Sequence, residues 1–346
     1  MSQSRRSLAD PELAAALLPL WGFPPDSRVT PAAEQGTNNQ TFLVHRGRER
    51  YVLRVSGFAS AAAVQAEHRI LRHLLEGSLP FAVPEPIATT DGQTAADTPS
   101  GLATVCRWLP GLRLRVEDET AFERFGRIAG MLSAGLAAIP LADAWTDWRT
   151  DPRWVRPGDP PVEVLCDELR TAGLNAGHAE LLVAAASRAG RWWPSTEGLP
   201  AQVIHGDLAP SNMLADPATG EVTGILDFEL AGAGFRVQDI LFALYNSGAL
   251  DSGTTGTPDW PRRTTAFLRG CASVRRLEPA EVAALPELLV IRALGSALWR
   301  ISRWRSGPGS LGEVTAHAAR LAEAVRWLAV NEDRFRSVAV AANAGS

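Results

Sequence analysis

The sequence predicts an α+β protein, and three observations predict it. Before about residue 108 the apolar residues alternate over short β-branched runs with one helical stretch among them; after it they recur mainly at helical spacing; and 346 residues are enough for two lobes. Hydrophobic residues make up 46% of the chain and can fill a core in each lobe. The net charge of −4 and the lack of a concentrated basic run argue against nucleic acid as a partner, and no segment reads as an unbroken membrane span. Cys106, Cys166 and Cys271 are odd in number and widely spaced, which argues against a disulfide framework or a zinc site. Reduced, buried thiols point to a cytoplasmic protein.

In chain order, Arg5-Arg6 followed by Leu13-Ala14-Ala15-Ala16-Leu17-Leu18 has the outline of an export signal. Asp10 and Glu12 interrupt it and the apolar stretch is short, so an amphipathic opening helix is expected. Tyr51 to Val55 alternates as a strand, and Ala61 to Leu75 carries Ile70, Leu71, Leu74 and Leu75 on one helical face. Gly101 to Gly111 reads as a strand ending in the Pro110-Gly111 turn. Glu119 to Ile139 places Phe122, Phe125, Ile128, Met131 and Leu132 at helical intervals, a core face. Trp145 to Pro161 reads as an inserted loop whose Trp145, Trp148 and Trp154 either stack on a substrate or bury the loop. Ser247 to Arg263, with Asp251, Asp259 and Trp260, is a second candidate lining for a pocket. Helices are expected around Pro286 to Arg305 and Leu311 to Val330, with a frayed end at Ala341 to Ser346.

The chemistry is concentrated in residues 203–229. Asn212 to Ala215 and Val222 to Leu226 are short apolar runs separated by the turn formers Asp216-Pro217-Ala218-Thr219-Gly220, which predicts a β-hairpin. Its open end brings Asn212 beside Asp227, two hard oxygen donors suited to magnesium, which takes one or two protein groups and completes its shell with water and phosphate. Asp207, five residues before Asn212, is placed to orient a substrate hydroxyl or accept its proton. A general base and two metal ligands in this order suit phosphoryl transfer from a nucleotide.

The strings His205-Gly206-Asp207-Leu208-Ala209-Pro210-Ser211-Asn212 and Asp227-Phe228-Glu229 resemble the signatures of the aminoglycoside phosphotransferase and choline kinase superfamily, the small-molecule branch of the protein-kinase-like fold. The resemblance implies a small N-terminal lobe over residues 1–108, with an antiparallel sheet plus helix, and a large, mainly helical lobe over 109–346. It implies that Asp207 is catalytic, that Asn212 and Asp227 hold Mg²⁺, and that Asp239 and His205 give structural support. Glu229 either meets metal or substrate or contacts only a neighbouring side chain. By the same resemblance Glu34 to Val44 is a phosphate-covering hairpin contributing Gly36, Thr37, Asn38 and Asn39, and backbone groups from Cys106 to Trp108 meet the adenine edge.

One departure bears on the nucleotide site: the chain contains no lysine, so all 34 basic residues are arginine. Arg54 stands where the family's phosphate-binding cation is expected, a guanidinium can serve through paired donors, and Glu67 on the following helix is its expected partner. The donor is then ATP or GTP and the acceptor a small hydroxylated molecule, met by a monomer or homodimer that binds neither nucleic acid nor membrane. Candidate loops that mix Asp with Arg and Trp suit a neutral or anionic sugar-containing or aromatic acceptor better than a polycationic aminoglycoside, and an antibiotic or natural-product-like acceptor is expected. The alternatives are a primary-metabolite kinase of homoserine, choline or sugar type and a nucleotide-binding pseudokinase. No protein substrate is expected, because no activation segment ending in Ala-Pro-Glu follows the motifs.

Overall fold

A computed structural model describes residues 11–24, 26–33, 39–57, 59–144, 159–250 and 259–344. The chain forms two compact units. The first comprises Met1–Leu114, Ala142–Trp145 and Ser211–Ala231; the second comprises Arg115–Leu141, Thr146–Pro210 and Gly232–Ser346.

The first unit opens with α1 (Pro11–Ala15) and a 3-10 turn over Leu18–Trp21. The expected opening helix is thus present, and Ala14 on it, with Leu18 and Trp21 on the turn that follows, is buried in the sheet core. Strands β1 (Arg28–Pro31), β2 (Asn39–Arg46), β3 (Glu49–Ser56), β4 (Ala95–Thr98) and β5 (Gly101–Arg107) form an antiparallel sheet in the order β1-β2-β3-β5-β4. Phe42 and Val44, Leu53 and Val55, Ala103 and Val105 alternate inward from the three central strands, as period-2 patterning requires. Between β3 and β4 lies α2 (Ala61–Glu76), capped by the Ser60 hydroxyl, which accepts the Ala63 amide at 3.2 Å. Its buried face carries Val64, Ile70, Leu71 and Leu74 and also Glu67. The expected catalytic hairpin is present in this unit: Met213–Ala215 pairs antiparallel with Val222–Ile225, with Leu112–Arg113 as a third strand.

The second unit is built from α3 (Glu119–Ala137), α4 (Val162–Ala172), α5 (Ala176–Trp192), α6 (Arg236–Asn246), α7 (Trp260–Ala272), α8 (Pro279–Arg305) and α9 (Leu311–Ala344), with the short pair Ala201–Ile204 and Gly232–Phe235. Helices α3 and α7 approach closely because glycine stands at both contact points. A Cβ on Gly126 would lie 1.9 Å from the Phe267 carbonyl oxygen, and one on Gly270 would lie 2.0 Å from that of Glu123. Gly126→Ala forces these backbones apart and is expected to lower stability by about 2 kcal/mol or more, the scale of overpacking a close-packed core. Urea unfolding checks this; a midpoint equal to that of the parent would show that the helices separate at no cost.

Three expectations for this part of the chain are corrected. Helix α8 begins at Pro279 and runs through Pro286, since Pro279 occupies the first helical position and the Glu278 amide donates to Glu281 Oε2 at 2.8 Å. It is also long and apolar enough to cross a membrane, but 72% of its most apolar stretch is buried within the protein. Helix α9 extends to Ala344 because Asn343 ties its end down, accepting from the Leu277 amide at 2.7 Å and donating to its carbonyl at 2.8 Å. Trp260 lines no pocket: it is buried edge-on against Trp327, with ring centroids 4.9 Å apart, and beside Phe335. Asp259 precedes it as the residue leading into α7, whereas Asp251, Trp145, Trp148 and Trp154 lie outside the described residues.

Candidate active site

In the first unit Arg54 lies on β3, a central strand, and both oxygens of Glu67 accept from its Nη2 at 2.7 Å. The strand register and one face of α2 produce this pair, as the sequence led us to expect. Asp227 Oδ1 lies 4.0 Å from Arg54 Nη1. Burial alone would push the guanidinium down, but the carboxylates of Glu67, Glu229 and Asp227 outweigh it and hold Arg54 above its ordinary value. The cation is therefore permanent.

The hairpin supplies the neighbouring groups. Its turn is held by Asp216, whose Oδ1 accepts the Ala218 and Thr219 amides at 2.9 Å each, so the two strands leave in register. At the open end the Leu226 amide donates to the Asn212 carbonyl at 2.8 Å, which sets Asn212 across from the residue before Asp227. Asp227 has φ 66° and ψ 61°, the only left-handed non-glycine residue among the described residues. Aspartate tolerates this conformation better than most side chains, and such strain gathers at functional positions. Two residues on, Glu229 Oε2 accepts from Asn39 Nδ2 at 2.5 Å, linking the start of β2 to the Asp227 turn. Gly36, Thr37 and Asn38 lie outside the described residues.

At the end of β5 the Arg107 amide donates to the Glu85 carbonyl at 2.9 Å and the Trp108 amide to that of Arg50 at 3.1 Å, so both donors are committed within the unit. The Trp108 ring is covered by the Arg50 guanidinium, 3.4 Å from its centroid. Burial pushes the Cys106 thiol up to about 12, so it stays protonated at neutral pH.

The second unit holds Asp207. Gly206, at φ 80°, turns the chain out of the strand Ala201–Ile204 in a conformation natural to glycine. Asp239, in the first turn of α6, accepts the His205 amide at 2.6 Å and the Gly206 amide at 2.8 Å. Burial raises the Asp239 carboxyl, against the opposing pull of His205 and the two amides. His205 is fully buried, and its Nδ1 accepts the Asp207 amide at 3.3 Å. Both side chains thus shape the loop that carries Asp207.

Sequence reasoning missed two partners of Asp207. Arg292 Nη2, from α8, donates to Asp207 Oδ1, and Asn246 Nδ2, at the end of α6, reaches the same oxygen at 3.3 Å. Asn246 also accepts from Arg292 Nη2 at 3.1 Å and donates to the Leu208 carbonyl at 3.0 Å. Phe242 packs under the guanidinium, 4.8 Å from centroid to Cζ. A signal for Arg292 was available: it interrupts Leu288-Leu289-Val290-Ile291 and Ala293-Leu294, and a charge inside a buried apolar helix needs a partner. Nothing in the sequence marked Asn246.

The donors fit a nucleotide-bound metal better than a protein-caged one. Asn212 and Asp227 offer hard oxygens at the hairpin mouth, and among the described residues no group of three or more His, Cys, Asp or Glu could hold a metal alone.

Residues 29–264 match the model of the phosphotransferase enzyme family. The chain is 29% identical over 278 residues to a homoserine kinase of Xanthobacter autotrophicus, covering 79% of this chain and 80% of the relative. It is 30% identical over 281 residues to a homoserine kinase of Sinorhizobium fredii, covering 79% of each. Among solved structures it is similar to a microcompartment-associated aminopropanol kinase, with a TM-score of 0.71 at 23% identity, covering 93% of this chain and 98% of that one. An amicoumacin kinase gives a TM-score of 0.66 at 18% identity, covering 90% and 92%. These likenesses establish the protein-kinase-like fold. With the matched residues spanning most of its length, this chain belongs to the phosphotransferase enzyme family, within the aminoglycoside phosphotransferase and choline kinase superfamily, and is a small-molecule kinase that phosphorylates a hydroxyl.

Proposed function

We propose that the chain transfers the γ-phosphoryl group of ATP to the hydroxyl of a small primary metabolite of the homoserine type. The observation that carries this reading is the similarity to homoserine kinases over 79% of the chain. The antibiotic acceptor favoured by the loop composition gives way to it, because the antibiotic kinases among the solved structures are 11–20% identical and share only the fold.

In this reading Asp207 accepts the hydrogen bond of the acceptor hydroxyl and takes its proton as the new P–O bond forms and the bond from the γ-phosphorus to the β,γ-bridging oxygen breaks to release ADP, while Arg292 and Asn246 hold the carboxylate in one orientation. Asn212 and Asp227 would hold magnesium through their side-chain oxygens. Bound magnesium supplies charge neutralisation at the nucleotide phosphates. Arg54, kept in place by Glu67, donates to phosphate oxygens. Because the Arg107 and Trp108 amides are committed, the adenine contact assigned to Cys106–Trp108 falls to carbonyl oxygens of that segment. Reduced thiols and an ATP donor make a cytoplasmic setting part of the same proposal.

ADP release measured across L-homoserine, choline, a hexose and kanamycin tests the acceptor. The highest kcat/KM is expected with L-homoserine. Preference for kanamycin would restore the antibiotic reading and overturn this one.

A further inference from the structure

Asp207 and Arg292 stand at one end of a charged seam whose remaining residues neither the hydroxyl chemistry nor nucleotide binding uses. Arg292, Ser296 and Arg300 are spaced i, i+4, i+8 on α8 and share one face; Glu313, His317 and Arg320 are spaced i, i+4, i+7 on α9. The two stripes meet: Ser296 Oγ lies 2.8 Å from His317 Nδ1 and Arg300 Nη1 lies 3.6 Å from Glu313 Oε1. The balance of charge is positive, with three guanidiniums against the carboxylates of Asp207 and Glu313. His317 adds nothing at neutral pH, since burial and the surrounding arginines push it down to about 4. Burial and neighbouring arginines also push Arg300 down, with Glu313 and Asp207 opposing. Its Nε is buried without a hydrogen-bond partner among the described residues, an arrangement that carries a cost until an acceptor arrives. Besides the Nη2 contacts described above, Arg292 Nε donates to Asn246 Oδ1 at 3.4 Å, and these contacts leave Nη1 out.

We infer that Arg292 and Arg300 form a subsite for a carboxylate of the acceptor, so that the substrate class is a small hydroxy acid whose hydroxyl meets Asp207 while its carboxylate lies along this face of α8. The inference rests on the proposed kinase reading and adds to it the residues that select the acceptor. A carboxylate supplies the acceptors that the guanidinium donors lack and offsets the surplus charge. It also gives Arg292 two partners at once, the acceptor's carboxylate and Asp207, and thereby fixes the distance between the recognised group and the reacting hydroxyl. Arg292 and Arg300 are specificity-determining residues in this scheme; Arg292 positions Asp207 as well.

The test compares L-homoserine with 3-amino-1-propanol, which keeps the hydroxyl and the amine but has no carboxylate. The parent enzyme is expected to favour L-homoserine in kcat/KM, and Arg300→Gln to lower the ratio of the two values about tenfold, the loss of one charge-assisted contact, through KM for the acid. Arg300→Lys should recover part of the ratio, and KM for ATP should stay at the parental value. Equal kcat/KM for the two compounds in the parent, or an equal loss for both in Arg300→Gln, would overturn the subsite while leaving the kinase reading intact. Calorimetric titration of L-homoserine is independent of turnover. Binding that weakens in Arg300→Gln, without phosphorylation of any hydroxyl compound, would keep the subsite and overturn the kinase reading.

Discussion

Asp207→Asn is expected to reduce kcat by about 100-fold or more while leaving ATP affinity near the parental value, the usual weight of a general base in proton transfer. Asparagine keeps the size of the side chain and an oxygen for Arg292 and Asn246, so the loop should hold its course. It cannot take the acceptor's proton, and as a neutral group it no longer compensates the Arg292 charge. Because Asp239 and His205 hold the loop backbone, the unfolding midpoint should move little. Steady-state turnover beside calorimetric ATP binding separates the effects: near-normal kcat would remove Asp207 from the chemistry, and a matching loss of ATP affinity would make it a binding residue.

Asp227→Asn should fail differently. Asparagine also tolerates the left-handed backbone at this position, so the turn is expected to survive. What is lost is a negative oxygen that balances Arg54 and that the proposed function assigns to the metal. Affinity for ATP in the presence of magnesium and turnover should both fall, turnover by about 100-fold, in line with the several kcal/mol that a catalytic metal contributes. Raising magnesium should recover part of each. ATP affinity that is unchanged and indifferent to magnesium would show that the ligand lies elsewhere. Together the two variants divide the motif into a group acting on the acceptor and a group acting on the donor.

Much of this was legible in the sequence because it depends on local rules. Alternation over Tyr51 to Val55, the apolar face of Ala61 to Leu75 and the turn residues Asp216 to Gly220 each specify an element within a few residues, and the observed β3, α2 and hairpin follow them. The Arg54–Glu67 pair was legible for the same reason, since a strand and the helix that follows it are separated by only a short connection. Helix limits were harder to read. Pro286 and the alanine-rich terminus look like ends in sequence, yet burial of α8 and the Asn343–Leu277 clasp carry both helices further.

By itself, then, the sequence determined the class of chemistry. The order Asp207, Asn212, Asp227 on a loop and hairpin is a short-range arrangement, complete within about twenty residues, and it identified a small-molecule kinase without lysine. The tertiary structure alone decided what surrounds Asp207. Arg292 is 85 residues away and Asn246 is 39, so no periodicity or turn rule connects them to the motif; they meet it because α6 and α8 pack in one core and an arginine on an apolar helix must find a counter-charge. Likewise, only the packing of α8 on α9 gathers their arginines into one stripe, since helical spacing fixes which residues share a face but not which face another helix presents to it.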